Sequence, residues 1–301
     1  MSAPFEHRSV LLSEAIALLA PRSGGVVVDC TLGGGGHAEA ILEASGPDGR
    51  LIGLDRDPAA LEAAGARLVR FGSRFTGVHG AFGDIVAHLA RLGLGRVGGV
   101  LADLGVSSPQ LDQAERGFSF SQDGPLDMRM DPTRGSSAAE LVNRTSEGEL
   151  ADVLWRLGEE RHSRRVARAI VAGRPFTTTA QLAGVVARAV GRSGDIHPAT
   201  RTFQALRLAV NDELGELERL LAALPSVLIP GGRAVIISFH SLEDRRVKQC
   251  FREYCGVGGE RDAYGRPLDA PRATLLTSRA VQASDDNPRA RSARLRAIQW
   301  L

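Results

Sequence analysis

Residues 26–37 read Val26-Val27-Val28-Asp29-Cys30-Thr31-Leu32-Gly33-Gly34-Gly35-Gly36-His37. A short apolar run ends here in a carboxylate, and a glycine cluster then leads into a helix-like run from Ala38 to Ala44. Glycine tolerates φ > 0 and has no Cβ to keep a ligand away from the backbone. The spacing Gly33-x-Gly35-x-x-Ala38 also fits the loose dinucleotide-binding fingerprint. The stretch therefore predicts a parallel strand that turns into a helix at a nucleotide-binding loop.

The composition is that of a globular protein. The 301 residues are 43% hydrophobic and 24% charged, with a net charge of only +2, so composition alone does not demand a nucleic-acid partner. The sequence shows no apolar run long enough for a membrane span and no apolar targeting segment at residues 1–8, so we expect a cytoplasmic protein. Cys30, Cys250 and Cys255 fit no common zinc-site spacing, which predicts reduced thiols and no metal.

Short apolar runs alternate with helical patterns in the first hundred residues. The alternation predicts a doubly wound parallel sheet that is covered by helices on both faces. Two further segments, at 273–281 and 292–300, predict an antiparallel hairpin on the sheet edge. The predicted parallel strands are 25–30, 51–54, 76–79, 97–102 and 233–239, and the predicted helices among them are 38–44, 58–71 and 85–92.

The alternation stops after Asp103 and resumes only at Pro230-Gly231-Gly232. The intervening sequence predicts helices and no convincing strand. We therefore expect an α/β domain made of residues 1–110 and 208–301, interrupted by a helical insertion domain at residues 111–207 that is a candidate for RNA recognition. The predicted helices are 147–157, 164–172, 179–190 and 200–224.

Two carboxylates follow the first two strands, at the edge where ligands bind to sheets of this kind. Asp29 can hold a cationic amine or, through water, a ribose; alternatively it caps the following turn. Asp55 lies 22 positions after Gly33, which is the place of the acidic residue that binds ribose hydroxyls in nucleotide-binding βαβ units. Together with Gly33 and Gly35, these residues predict a nucleoside-containing cofactor.

The segment Gly80-Ala81-Phe82-Gly83-Asp84 follows the third strand, where this topology places the adenine ring. Phe82 is either a packing partner of the adenine or a core residue. Asp84 is either an acceptor for the exocyclic amine or the N-cap of the next helix.

The fourth strand ends in Asp103-Leu104-Gly105-Val106-Ser107-Ser108-Pro109-Gln110. Acceptors on the two N–H groups of an aromatic amine pull its nitrogen toward tetrahedral geometry and free the lone pair to attack a sulfonium methyl. Asp103 therefore favours amine methylation. The rival hypothesis, an oxidoreductase that uses a nicotinamide dinucleotide, lacks the proton donor that hydride transfer needs near this edge.

Arginines concentrate in the insertion. Arg161, Arg164, Arg165 and Arg168 have the spacing i, i+3, i+4 and i+7, which predicts one helical face, and Arg207 follows later. Such a cluster suits RNA phosphates. Alternatively, the arginines form a solvated face that pairs with Glu147, Glu149, Glu159 and Glu160. A non-catalytic RNA-binding factor that uses these arginines is a third hypothesis.

Two segments near the C-terminus complete the predicted edge. After the fifth strand, Ser241 and Asp244 resemble a capping box, and His240 faces either the site or solvent. Residues 287–294 form a basic turn that either touches RNA phosphates or closes the fold.

Several longer motifs are spread along the chain. They are His7–Leu12, Asp29–His37, Asp103–Gln110, Gly117–Phe120, Asp127–Met130, Gln204–Arg207, Asn211–Leu214, Ser238–Asp244 and Asn287–Ser292. Together they resemble one family, the bacterial RsmH (MraW) methyltransferases. The resemblance implies a Rossmann-like class I methyltransferase with a helical insertion. It also implies transfer of a methyl group from S-adenosylmethionine to N4 of a cytidine in the decoding region of 16S rRNA, on the small ribosomal subunit.

The resemblance also implies site residues. Gly35, Gly36 and His37 would contact the cofactor from the first loop, Asp55 would hold the ribose, and Phe82 would lie beside the adenine. Asp103, the expected catalytic residue, and Gln110 would complete the pocket near the point of transfer. The oligomeric state, monomer or homodimer, stays open.

Overall fold

The computed structural model describes residues 9–191, 196–258, 270–283 and 290–301. The chain forms two compact units. The first contains the residues up to Gly105 together with Leu214–Leu301, and the second is Val106–Glu213. At each end, the second unit extends a few residues beyond the expected insertion at 111–207.

Twenty α-helices and β-strands are found in the described part of the chain. The strands are β1 (Val26–Asp29), β2 (Arg50–Asp55), β3 (Phe75–His79), β4 (Val97–Asp103), β5 (Leu228–Ser238), β6 (Ala273–Leu275), β7 (Val281–Gln282) and β8 (Arg294–Trp300). The helices are α1 (Leu12–Leu19), α2 (Gly36–Ala44), α3 (Pro58–Leu68), α4 (Ile85–Arg91), α5 (Ser108–Asp112), α6 (Ala138–Arg144), α7 (Glu147–Gly158), α8 (Ser163–Gly173), α9 (Thr179–Val190), α10 (Thr200–Asn211), α11 (Glu213–Val227) and α12 (Ser241–Tyr254).

All eight strands form one sheet at the centre of the first unit. Its order is β3-β2-β1-β4-β5-β8-β6, with β7 also paired to β8. Strands β1 to β5 are mutually parallel and β8 is antiparallel to β5. The strand order reverses between β1 and β4, which is the switch point where ligands bind in open α/β sheets. The predicted doubly wound, mainly parallel sheet is confirmed.

Both faces of this sheet are buried, as parallel sheets require. Successive residues of β1 show the alternation, because Val28 belongs to one core cluster and Val27 to the other. Side chains of α11 and α12, such as Leu220 and Phe251, cover the first face. Side chains of α1, α2 and α3, such as Ile41, cover the second. The continuous apolar run before Asp29 is therefore a consequence of burial on both sides.

The predicted antiparallel pairing of 273–281 with 292–300 is confirmed, but not as a simple hairpin on the sheet edge. Residues 273–281 are not one strand but contain two short strands, β6 and β7, and both pair with β8. Strand β8 also forms six antiparallel pairs with β5, from Arg233 with Gln299 to Ser238 with Arg294. It therefore lies inside the sheet rather than at its edge, where it buries Leu295, Ala297 and Ile298.

The predicted helix at 200–224 is two helices. Asp212 has φ 48 and ends α10, and α11 begins at Glu213. The side chain of Asn211 donates to the carbonyl of Met128 at 2.8 Å and accepts from the amide of Met130 at 2.8 Å. These contacts with a distant loop stabilise the end of α10. The sequence does not reveal them, because its apolar periodicity continues through the break.

The second unit has its own apolar core, formed by side chains such as Leu154, Ile170 and Phe203. Reciprocal capping boxes begin α6, α7 and α9, with Ser137, Ser146 and Thr178 as the N-caps. Helices α1, α5 and α6 were not predicted from the sequence. In the parts of the chain that the structure describes, no helix has the length and apolarity to cross a membrane.

Candidate active site

The loop between β1 and α2 is held tightly against its surroundings. Gly33 and Gly35 have φ 50 and 79, a region that non-glycine residues rarely adopt. A Cβ on Gly35 would lie 3.3 Å from the Cβ of Ala64, and one on Gly36 would lie 2.1 Å from Oγ of Ser9. The loop thus has little room for a side chain at Gly35 and Gly36, whereas a Cβ on Gly34 would meet no atom within 4 Å.

Asp55, at the end of β2, ties this loop to the second strand. Its Oδ2 accepts the amide of Gly33 at 2.8 Å, and its Oδ1 accepts the amide of Asp57 at 2.9 Å. Burial raises the pKa of Asp55, and the two N–H donors partly offset that rise. Since two carboxylate oxygens offer about four acceptor sites, capacity remains for ribose hydroxyls. Asp57 caps α3 by accepting from the amide of Ala59.

Asp29 is only 1% exposed at the end of β1. Its Oδ1 accepts the amide of Thr31 at 3.1 Å, so it does cap the following turn. Its Oδ2 is buried and has no hydrogen-bond partner among the described residues. Burial, opposed by the Thr31 amide and assisted by the charge of Asp55, raises the pKa of Asp29 to about 7. One oxygen therefore remains for a donor or a cation.

Asp103 ends β4, the neighbour of β1. Its amide donates to Oγ1 of Thr31 at 2.6 Å. Its Oδ1 is buried without a partner in the described structure, whereas the side chain as a whole keeps 22% exposure. Burial, and then the charges of Asp29 and Glu243, raise the pKa of Asp103 well above its usual value. The carboxyl group thus faces an accessible space with a raised proton affinity.

His37 lies in the first turn of α2, beside Asp103. Its Nε2 is 3.1 Å from the carbonyl of Val10, and because a carbonyl only accepts, this nitrogen carries the proton. In the neutral ring Nδ1 is then an acceptor, and it lies 3.7 Å from Oδ2 of Asp103. This distance exceeds that of a hydrogen bond. The Val10 contact thus fixes the orientation of the imidazole toward the Asp103 carboxyl.

Phe82 follows β3 in a short 3₁₀ turn and packs against the apolar core from a half-buried position. The turn is held by Glu216 of α11, whose Oε2 accepts the amide of Gly83 at 2.7 Å. The other oxygen of Glu216 binds Arg56 and Arg219, each at 2.9 Å. Sequence reasoning missed Glu216, because a glutamate on an amphipathic helix carries no local signal of such a role. Asp84 is the N-cap residue of α4, but its side chain forms no capping bond within the described structure.

The capping box predicted at the start of α12 involves other residues. Glu243 accepts the amides of Phe239 at 2.8 Å and His240 at 3.4 Å. Asp244 instead binds Arg294 and Arg296 of β8. His240 is mostly buried, with Nε2 3.2 Å from Oε1 of Glu243. The shift by one residue arises because the turn begins at Phe239 and because β8 supplies two guanidinium groups to Asp244.

The other predicted site residues lie in the second unit or outside the described residues. Gln110 forms a capping box with Ser107 at the start of α5, and its cofactor contact remains a prediction. Asn287, Pro288 and Arg289 lie outside the described residues, as do His7 and Arg8. Of the predicted basic turn at 287–294, residues 290–294 are described, and Arg294 binds Asp244 at 3.2 Å.

Four of the five predicted RNA-binding arginines are exposed. Arg164, Arg165 and Arg168 lie on the outer face of α8, but Arg161 precedes that helix and does not share its face, which corrects the prediction. Arg168 lies 3.5 Å from Glu147, and Arg165 donates to the carbonyl of Val190. Arg207 differs, because it forms two bonds to Glu213 at 2.8 and 3.1 Å and is only 16% exposed.

The site of the first unit fits a cationic nucleoside cofactor. Unsatisfied carboxyl oxygens of Asp29 and Asp103 offer acceptors for an ammonium group and a favourable field for a sulfonium. In the loop beside them, the backbone of Gly34 is exposed and that of Gly33 and Gly36 is half-buried. The three cysteines are free thiols, as predicted, and no group of metal-binding side chains occurs in the described parts of the chain.

Comparison with known proteins decides the family. Residues 4–301 match the model of the MraW methylase family. The chain belongs to this family. Proteins called "Ribosomal RNA small subunit methyltransferase H" from Geobacter sulfurreducens and Bradyrhizobium diazoefficiens are 52% and 55% identical to it. These alignments cover 99% of this chain and 99% and 92% of the respective relatives.

Membership in the MraW methylase family assigns the chemistry of the site. The protein is a methyltransferase that uses S-adenosylmethionine, so the nicotinamide-dependent oxidoreductase hypothesis is wrong. The sulfonium and ammonium groups of this cofactor are the cations that the free oxygens of Asp29 and Asp103 suit.

Proposed function

We propose that this protein transfers a methyl group from S-adenosylmethionine to N4 of a cytidine in the decoding region of 16S rRNA. The observation that carries the proposal is similarity of 52–55% identity, over nearly the whole chain, to proteins named for methylation of small-subunit rRNA. The acceptor-lined end of β4 supports the exocyclic amine as the target. The substrate is the small ribosomal subunit, and the protein acts in the cytoplasm.

The cofactor is held by residues at the ends of β1, β2 and β3. When bound, it supplies an electrophilic methyl group on a sulfonium. The backbone of Gly33, Gly35 and Gly36 approaches it closely, Asp55 accepts from the ribose hydroxyls, and Phe82 lies beside the adenine. His37, whose ring is oriented by Val10, closes the pocket next to Asp103. Gln110, in the second unit, is a further predicted contact of the cofactor.

Asp103 prepares the target amine and receives its proton. Its carboxylate accepts an N–H of the exocyclic amine, which localises the nitrogen lone pair for in-line attack on the methyl group. Formation of the N–C bond as the S–C bond breaks leaves a positive charge on nitrogen, and the amine then loses a proton to Asp103. The raised pKa of Asp103 makes it a better proton acceptor than an ordinary aspartate.

The target cytidine must leave its stack to reach this recessed carboxylate. Arg161, Arg164, Arg165 and Arg168 offer charges for the surrounding RNA phosphates. Arg207, which is paired with Glu213, contributes by stabilising the insertion or by exchanging this partner for a phosphate.

Methyl transfer to isolated small subunits tests the proposal. Subunits that lack the modification are incubated with labelled S-adenosylmethionine, and the rRNA is digested for nucleoside mass spectrometry. We expect N4-methylcytidine at one decoding-region position. Cofactor binding without any incorporation, or a label on another atom, would contradict the proposed substrate.

Substitution of Asp103 tests its role. D103N and D103A should lower kcat for methyl transfer by at least about 100-fold, because neither side chain accepts a proton as a carboxylate does. Circular dichroism and thermal unfolding should show a folded protein. D48N, which alters an exposed turn aspartate, is the matched control and should keep full activity. Full activity of D103N would remove Asp103 from the mechanism.

A further inference from the structure

A basic groove lies on the first unit, away from the cofactor loop, between α12 and the antiparallel strands β6 to β8. Its walls carry the basic side chains of Lys248, Arg252 and Arg296 and the hydroxyls of Thr277 and Ser278, above the ring of Phe251. Lys248 is the only lysine of the chain. None of these residues is used in the chemistry described above.

The positive charges of the groove lack acidic partners at two positions, as far as the chain is described. Lys248 and Arg252 are exposed, and neither forms an ion pair with a described residue. Asp244 is shared by two guanidinium groups, since it binds Arg296 at 2.7 Å and Arg294 at 3.2 Å. Because this one carboxylate pairs with two arginines, the cluster keeps a net positive charge. Within the described residues, the groove therefore offers an anionic ligand the unpaired cations of Lys248 and Arg252, with the Arg294–Asp244–Arg296 cluster beside them.

The groove begins at the edge of the sheet where methyl transfer takes place. Arg294 pairs with Ser238, the last residue of β5, and Arg296 pairs with Ile236 two residues further in. Helix α12 starts at Ser241, at the same edge, and runs back along the sheet. With a rise of 1.5 Å per residue, Lys248 and Arg252 lie about 10 and about 16 Å from its start. The cations thus form a line that leads away from the active site.

We propose that this groove binds the sugar–phosphate backbone of the single-stranded rRNA segment that continues from the target cytidine. Lys248 and Arg252 contact successive phosphates, and the Ser278 hydroxyl donates to a phosphate or a ribose oxygen. Contacts of this kind fix the register of a nucleic acid without reading its bases. The inference rests on the proposed function for the identity of the RNA.

Salt dependence of RNA binding tests the groove. The full-length protein is titrated with a single-stranded oligonucleotide of decoding-region sequence and with unmodified small subunits, each at several salt concentrations. Loss of two phosphate contacts to a single strand should reduce the slope of log K against log salt by about 1.4. K248A/R252A should show this reduced slope, at least tenfold weaker binding at low salt and an unchanged Kd for S-adenosylmethionine. K248R/R252K should behave like the wild type.

R91A/R96A is the charge-matched control. It removes two exposed arginines at the end of α4 and the start of β4, on the opposite edge of the sheet, and should change the slope little. An unchanged slope for K248A/R252A, or an equal loss in R91A/R96A, would overturn the proposal. Weaker binding to subunits but not to the oligonucleotide would also overturn it and would indicate an acidic protein partner.

The same samples separate this inference from the proposed function. If the wild type methylates subunits but K248A/R252A binds RNA normally, only the groove assignment fails. If the wild type does not methylate subunits but the groove variant still loses RNA affinity, the groove assignment stands and the proposed substrate fails.

Discussion

Two buried carboxyl groups, on adjacent strands, define the chemistry at the scale of single residues. Asp29 and Asp103 each keep one oxygen without a hydrogen-bond partner in the described structure. Burial raises the pKa of each carboxyl group. Burial thus favours the protonated form of each group, whereas a bound cation favours the ionised form, so cofactor binding and proton release are linked.

Cofactor affinity should therefore depend on pH through Asp29. Its pKa of about 7 means that the group is mostly protonated below that pH, and S-adenosylmethionine must then displace the proton. We expect its Kd, measured by calorimetry, to fall by up to about tenfold per pH unit as the pH rises toward 7, and then to level off. D29N should flatten this dependence, and D48N should not. An identical profile for D29N and the wild type would contradict the linkage.

The stability of the ligand-free protein should vary in the opposite direction. The pKa of Asp29 is about 7 in the folded state against an ordinary value of 3.8, so the unfolded chain releases this proton first. The free energy of unfolding should then fall as the pH rises from about 4 to about 7, with no further change from this group above that range. Urea titrations should show a smaller fall for D29N.

At the scale of secondary-structure elements, Glu216 joins three segments of the cofactor site. From α11 it binds the amide of Gly83 after β3 and the side chain of Arg56 after β2. Gly83 has no room for a side chain, since a Cβ would lie 2.3 Å from Oε2 of Glu216. The helix thus positions the turn that carries Phe82, without touching the reacting atoms itself.

Removal of this carboxylate should weaken cofactor binding more than catalysis. E216A leaves the Gly83 amide and the Arg56 guanidinium without their common partner, and we expect a rise of about tenfold in the KM for S-adenosylmethionine with kcat retained. The free energy of unfolding should fall by about 1–2 kcal/mol, because the pair is partly exposed. E216Q, which keeps an acceptor for Gly83, should recover part of the affinity. E218A, which removes an exposed ion pair with Arg246, should leave KM unchanged; an equal effect of both alanine variants would contradict the positioning role.

At the scale of the whole molecule, the proposed cofactor residues and the proposed RNA-binding arginines lie mostly in different units. The first contains the described cofactor residues except Gln110, and the second has a separate apolar core and the exposed arginines before and along α8. Arg161 and Arg164 form no ion pair or hydrogen bond with the described residues, whereas Arg207 is bound to Glu213. The predicted arginine cluster thus contains residues that are free for RNA and one that stabilises the insertion.

The two kinds of arginine should separate experimentally. R161A/R164A should weaken binding to small subunits by about tenfold and leave both the Kd for S-adenosylmethionine and thermal unfolding unchanged. R207A should instead lower the melting temperature, because it leaves Glu213, whose side chain is only 9% exposed, without its partner. R134A/R144A, a pair of exposed arginines in the same unit, is the control for net charge. An equal loss of affinity for small subunits in R161A/R164A and R134A/R144A would mean that binding depends on net charge and not on contacts of Arg161 and Arg164.

The sequence alone determined the parallel sheet, the glycine loop and the placing of Asp29, Asp55 and Asp103 at one edge. Each of these features depends on local patterns: apolar runs that end in a carboxylate, at spacings that a βαβ unit imposes. The family resemblance added His37 as a site residue and S-adenosylmethionine as the cofactor. Burial and strand order alone could not have identified either.

Only the tertiary structure decided the features that depend on distant partners. Glu216 accepts from an amide 133 residues away, and strand β8 pairs with β5 inside the sheet. Asp244 binds two arginines of β8. Asn211, the last residue of α10, binds a loop that is distant in the sequence. The secondary-structure propensity of such a residue does not depend on whether its side chain faces water or a partner that folding brings close. The physical reason is that burial and pairing across long sequence separations change hydrogen bonding and pKa values, and these contacts exist only in the assembled fold.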